Sequence, residues 1–158
     1  MPHLRPSDEL LVYAQLVLER ERVRLSALTT GELVLTGGSS DPGALTVGDI
    51  DLHLRVDPAD FVASVARLRE VYDPVHLEIW TESLATFAVS REAVGIAVTP
   101  LGSEHDRRFF EAWRRLEADP ALLEAYNRMK RDHADDAEAD YLAAKADFFN
   151  WLADTEAT

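Results

Sequence analysis

Thr36-Gly37-Gly38-Ser39-Ser40, followed after a short loop by Gly48-Asp49-Ile50-Asp51-Leu52-His53-Leu54, decides how this chain is read. Upstream of the glycines, Glu32-Leu33-Val34-Leu35-Thr36 is a short apolar run that predicts a buried strand ending at the turn. Downstream, acids alternate with apolar residues and predict a second strand from about Asp49 to Val56. Successive strand side chains point to opposite faces, so Asp49 and Asp51 share one and together can hold a divalent cation. Gly37, Gly38, Ser39 and Ser40 offer backbone N–H groups and hydroxyls to a phosphate with little bulk in the way. Asp is disfavoured inside strands, so two at alternate positions beside a small-residue turn point to phosphate-and-metal chemistry rather than to an ordinary wet strand face.

Working outward, Ser7-Asp8-Glu9 caps an amphipathic helix reaching to about Leu28, with Glu19 to Arg24 as its wet tail. Asp57-Pro58 starts a second helix carrying Phe61, Val62, Val65, Ala66 and Leu68 at helical spacing. Three further strands are expected, at 75–80, 85–89 and 93–98, joined closely enough for antiparallel hairpins. From about Ser103 the pattern is helical, and Asp119-Pro120 restarts a helix as Asp57-Pro58 does. Phe109, Trp113 and Leu116 form one apolar stripe; Leu122, Ala125, Tyr126 and Met129 a second; Tyr141, Leu142, Lys145, Phe148, Phe149 and Leu152 a third. These stripes are read as core. The expectation is an α+β fold: a mixed sheet of about five strands with helices packed on it and a helical C-terminal part.

Composition narrows the chemistry. With no cysteine, any bound metal depends on carboxylate, carbonyl or imidazole ligands, which favours a hard cation such as magnesium or manganese. A formal charge of −13 argues against an extended nucleic-acid surface, because such surfaces neutralise phosphates with Lys and Arg. No apolar run approaches the roughly 20 residues that span a bilayer, and the first residues lack a secretory pattern, so a cytoplasmic location is expected. The acids between Asp132 and Asp140 read as a solvated helix junction. No Walker-type sequence, nucleophile elbow or dinucleotide fingerprint is present, and covalent catalysis has no obvious nucleophile.

Two carboxylates leave a hard cation dependent on water or substrate for its other ligands, so a third acid is sought. Glu78 is the candidate: between Leu77 and Ile79 it would share a strand face with His76 and Trp80 and could converge with Asp49 and Asp51. His53 and His76 are weighed as further ligands or proton carriers, with a hydrogen-bonded or exposed strand histidine as the plainer reading of each.

Gly37-Gly38-Ser39, the spacer and Asp49-Ile50-Asp51-Leu52 resemble the signature of the nucleotidyltransferase superfamily, and within it the chain most resembles the GrpB family. The segment Gly38-Ser39-Ser40-Asp41-Pro42-Gly43-Ala44-Leu45 is similar to that family's Gly-Ser-Thr…Pro-Gly-Leu loop, and Asp119-Pro120, Tyr126, Lys130, Tyr141, Lys145 and Phe148 resemble its C-terminal helices. Where the family has Lys-Pro-Ile-Ile-Asp-Ile, this chain has Val47-Gly48-Asp49-Ile50-Asp51-Leu52, without the Lys and with a second acid. The family's His-Leu-His strand falls by position on Gly95-Ile96-Ala97 and by pattern on His76-Leu77-Glu78, and its Phe-Arg-Asp becomes Phe110-Glu111-Ala112. The resemblance implies one nucleotidyltransferase-like domain over 1–158, with a sheet-containing core at 1–100 and C-terminal helices at 101–158. It implies Mg2+ or Mn2+ on Asp49, Asp51 and a third acid, and a nucleoside triphosphate whose β- and γ-phosphates meet Gly38 and Ser39. Lys130, Lys145 and Arg128 are the accompanying cations. The implied reaction moves a nucleoside monophosphate to a small-molecule acceptor; the alternative is a catalytically inactive nucleotide-binding or interaction module on the same fold.

Overall fold

The computed structural model describes residues 3–155. Its centre is the strand β4 (Ile50–Val56), where alternation does what the sequence predicts: Ile50, Leu52, Leu54 and Val56 are buried in the core, while Asp51, His53 and Arg55 face the other way. Strands β2 (Glu32–Thr36), β6 (Ala85–Ala88) and β7 (Val94–Pro100) alternate likewise. The two-residue β5 (Asp73–Pro74) completes a five-stranded sheet in the order β2-β4-β7-β6-β5. Only β4 and β7 run parallel; the other neighbours are antiparallel, so the sheet is mixed. A second, two-stranded ribbon pairs β1 (Arg5–Pro6) with β3 (Leu45–Thr46).

Helices α1 (Leu11–Ser26) and α2 (Phe61–Leu68) bury Ala14, Val17, Leu18, Leu25, Phe61 and Leu68 in one cluster with the core-facing strand residues. Helices α3 (Glu104–Ala118), α4 (Pro120–Asp132) and α5 (Glu138–Asp154) build a separate cluster around Leu116, Tyr126 and Leu152, with Trp113, Phe148 and Phe149 packed against it. The Asp119-Pro120 restart holds: the Asp119 carboxylate accepts from Ala121 N at 2.9 Å, and proline stands at the start of the helix.

Several local expectations change. The segment 75–80 is no strand. His76 adopts a left-handed backbone with φ 52°, and Leu77–Ile79 form a single 3-10 turn, so the strand alternation that placed Glu78 does not apply. Ser7–Leu10 is a 3-10 turn ahead of α1, without a side-chain cap. In the expected wet tail of α1, Glu21 is fully buried, accepting from the Tyr72 hydroxyl at 2.7 Å and pairing with Arg20 at 2.7 Å. Val62 and Leu142 are exposed instead of packed within their stripes. Phe109 leaves its stripe as well, lying edge-on to His53 at 5.7 Å.

Candidate functional site

The Gly-Gly turn is shaped by its neighbour. Gly37 has φ 68°, and a Cβ there would run into the carboxylate of Asp51, the residue beside Thr36 of β2 in the sheet. Glycine is therefore required twice over, by backbone conformation and by the close approach of an acid. A Cβ at Gly38 would meet Leu45 O at 3.1 Å and the Tyr126 hydroxyl at 3.6 Å, so α4 closes over the turn. The loop beyond is pinned to the same helix: Asn127 accepts from Leu45 N and donates to Gly43 O, both at 2.9 Å. Asn127 was not singled out from sequence, since nothing local distinguishes an asparagine that clasps a loop more than 80 residues away.

Ser39 and Ser40 serve the turn more than a ligand. Ser40 Oγ donates to Gly37 O at 2.7 Å, Ser39 Oγ donates to Thr36 O at 3.4 Å, and Ser39 is buried. Their hydroxyl protons shape the Gly38–Ser40 3-10 turn.

Asp51 stands between the turn and the C-terminal helices. Burial first, and then the neighbouring Asp49, push its carboxyl up to about 6, while Lys145 and Lys130 act in the opposite sense. Lys130 is buried above the Tyr126 ring, 5.3 Å from its centroid. Burial and Lys145 bring its ammonium down to about 8 against the pull of Asp49 and Asp51. Tyr126 and Tyr141 are raised by burial first and then by their surroundings, which for both include the two acids. Two carboxylates, two ammonium groups and two phenols thus converge beside the Gly-Gly turn, drawn from both parts of the chain. Arg128, on α4 as well, is exposed and no part of this set.

Beyond Asp51 the same strand face is sealed. Arg55 grips Asp106 with two hydrogen bonds, of 2.7 and 3.0 Å, and Gly102 N donates to the same carboxylate at 2.9 Å. Thr99 Oγ1 donates to Asp106 at 3.3 Å, so it accepts from His53 Nε2 at 2.7 Å. Burial lowers the His53 ring to about 4. His53 is therefore neutral near pH 7, with Nε2 held by Thr99 and Nδ1 buried without a hydrogen-bond partner among the described residues.

Glu78 stays outside the cluster. It is exposed, 3.7 Å from His76, on the turn that follows edge strand β5, with β6 and β7 standing between β5 and β4. The strand that adjoins the acids is β7, whose register pairs Asp51 with Gly95 and His53 with Ala97. Among the described residues, no group of three His, Cys, Asp or Glu could hold a metal ion. A hard cation on Asp49 and Asp51 would have to take its remaining ligands from substrate and water.

No family model matches the sequence, and no curated protein matches it. Its fold is similar to that of the conserved protein GrpB from Enterococcus faecalis, with a TM-score of 0.64, 12% identity, and coverage of 94% of this chain and 98% of that one. It is also similar to Cid1, described as having RNA terminal uridylyl transferase activity, at a TM-score of 0.50 and 14% identity, with 81% of this chain covering 42% of the longer protein. At such identities the likeness is one of fold. The chain has an α+β fold like that of GrpB, a mixed five-stranded sheet with packed helices and a helical C-terminal part.

Proposed function

We propose that this chain is a GrpB-like nucleotidyltransferase that binds a nucleoside triphosphate with Mg2+ or Mn2+ and moves a nucleoside monophosphate to a small-molecule acceptor. The observation that carries the reading is the meeting of Asp49 and Asp51 with Lys130 and Lys145 beside the Gly37-Gly38 turn. Because those pairs come from opposite parts of the sequence, residues 1–100 and 101–158 act as one domain. Lys130 and Lys145 neutralise phosphate charge, and the buried position of Lys130 strengthens that attraction by excluding water. A divalent ion on Asp49 and Asp51, when bound, would polarise phosphoryl oxygens. A groove of about 340 Å3 opens beside Thr36 and Ser40, walled by Arg22, Trp113 and Arg114, and would have room for a small acceptor. The reading includes the cytoplasm, where nucleoside triphosphates and magnesium are abundant.

One observation favours a second reading. Gly95, where β7 could have supplied a third carboxylate, supports a nucleotide-binding module without turnover. Incubation with labelled nucleoside triphosphates, magnesium or manganese and a metabolite extract separates the two. Pyrophosphate release abolished in Asp51→Ala supports transfer; release unchanged in that variant sinks the site. Thermal stabilisation by nucleotide without any release supports the module.

A further inference from the structure

The groove of about 340 Å3 runs between α1 and α3 along the edge strand β2, a size within the ~300–1,000 Å3 range of small-molecule sites. Its α3 wall is a stripe at helical spacing, Phe110, Trp113, Arg114 and Glu117, which faces Leu18 and Arg22 of α1. His53 of β4 belongs to the lining as well, although it is only 1% exposed. One side of its ring is engaged: Nε2 donates to Thr99 Oγ1 at 2.7 Å, because the Thr99 hydroxyl proton goes to Asp106. A neutral ring with its proton on Nε2 leaves Nδ1 a bare lone pair, buried and without a partner among the described residues. A buried acceptor is costly without a donor, so this end of the groove selects for an O–H or N–H group. The other end is charged. Arg114 and Glu117 are exposed, one helical turn apart, and among the described residues neither has an ion-pair partner; the Arg114 guanidinium lies 5.7 Å from the centroid of the Phe110 ring. Arg22 is already occupied, donating to Leu33 O at 3.1 and 3.2 Å and pairing with Glu19 at 2.6 Å.

We propose that this groove binds a small zwitterion with a flat body and a hydroxyl at its far end, the chemistry of a hydroxylated aromatic amino acid. The hydroxyl donates to His53 Nδ1, the ring lies against Phe110 and Trp113, the carboxylate meets Arg114 and the ammonium meets Glu117. From Phe110 to Glu117 the helix advances about 10 Å, roughly the length of one such molecule laid along the wall. His53 stands at the start of that stripe, edge-on to Phe109 at 5.7 Å, so the acceptor and the charged pair fall at opposite ends. One unpaired cation beside one unpaired anion suits a zwitterion better than a simple anion, which Glu117 would repel. His53 is thereby a specificity-determining residue. Taken as the acceptor of the transfer, this ligand rests on the nucleotidyltransferase reading above; the binding chemistry of the groove does not.

L-tyrosine is the probe, titrated into the full chain without nucleotide or metal and followed by calorimetry and by the imidazole nitrogen resonances of His53 in NMR. The expected result is a saturable shift at Nδ1 with Nε2 unmoved, and affinity lower by about 5- to 100-fold for L-phenylalanine, which lacks the donor. Arg114→Gln should weaken tyrosine by about 2- to 5-fold and leave tyramine, which has no carboxylate, unchanged. His53→Gln keeps an N–H toward Thr99 but deletes the acceptor at Nδ1, and should bind tyrosine no better than phenylalanine. Equal affinity for the two amino acids in the unchanged protein overturns the inference, and so does an Nδ1 resonance that stays still, because water then serves that nitrogen. An equal loss of tyrosine and tyramine in Arg114→Gln overturns the assigned orientation and with it the proposal. If His53→Gln fails to fold, the comparison of tyrosine with phenylalanine on the unchanged protein still decides. No tyrosine binding overturns the inference and leaves nucleotidyl transfer to another acceptor standing; tyrosine binding without pyrophosphate release removes the acceptor role and leaves the groove's ligand standing.

Discussion

Asp51 and Lys130 show what a polar cleft costs the fold. The Asp51 carboxyl is up to about 6 in the folded state, above its unfolded value, so the folded chain binds the extra proton and the associated stability is lost as pH rises from about 4 through about 6. Lys130 is displaced the other way, down to about 8, so its associated stability is lost as pH falls from about 10 through about 8. Between about pH 6 and 8 both are charged, and both oppose folding. Asp51→Asn should therefore raise stability at pH 7.5 by about 1–2 kcal/mol, after discounting for partial exposure, with the gain absent near pH 4. Urea melts at the two pH values check it; an equal gain at both would contradict the assignment. Lys130→Met should weaken triphosphate binding by roughly 10- to 100-fold, the range for a charge-assisted hydrogen bond. Calorimetric titration measures this, and affinity within threefold of the parent would remove Lys130 from the site.

At the scale of elements, two clasps hold the site together. The Arg55–Asp106 pair joins β4 to α3, with the Arg55 guanidinium also 3.9 Å above the Phe110 ring. Asp106→Ala leaves Arg55 without its main partner and Gly102 N without an acceptor, and should cost about 3 kcal/mol. Asn127 joins α4 to the loop beyond Gly38. Asn127→Ala should cost about 1–2 kcal/mol for two partly buried backbone groups left unpaired. Hydrogen exchange should show faster exchange at the Leu45 amide in that variant, while the β4 amides keep their protection. Most elements were legible in the sequence, because strand alternation in β4 and the Asp-Pro caps are local signals. The segment 75–80 was not. Its alternation imitates a strand, but the left-handed His76 and the Trp80 indole, which donates to Val75 O at 3.0 Å, fold it into a turn.

At the scale of the whole molecule, −13 of formal charge surrounds a small patch of paired charges. Duplex oligonucleotides should show no retardation in a gel at about 0.15 M salt, where the Debye length is about 8 Å and the acidic surface still repels a polyanion over contact distances. A nucleoside triphosphate with Mg2+ should by contrast raise the melting temperature, because the ligand relieves two groups that oppose folding. A retarded duplex with no shift by the nucleotide would reverse the assignment of partner.

The sequence by itself determined the strand–turn–strand unit, the need for small residues at Gly37 and Gly38, and the helical character of the C-terminal part. These follow from periodicity, caps and backbone freedom within a few residues of each other. Only the tertiary structure decided what surrounds the acids. Strand register set Gly95 beside Asp51, helix docking brought Lys130 and Lys145 to it, and a left-handed turn carried Glu78 away. The order in which strands pair and the side on which helices dock depend on the total burial of the chain, which no local pattern encodes.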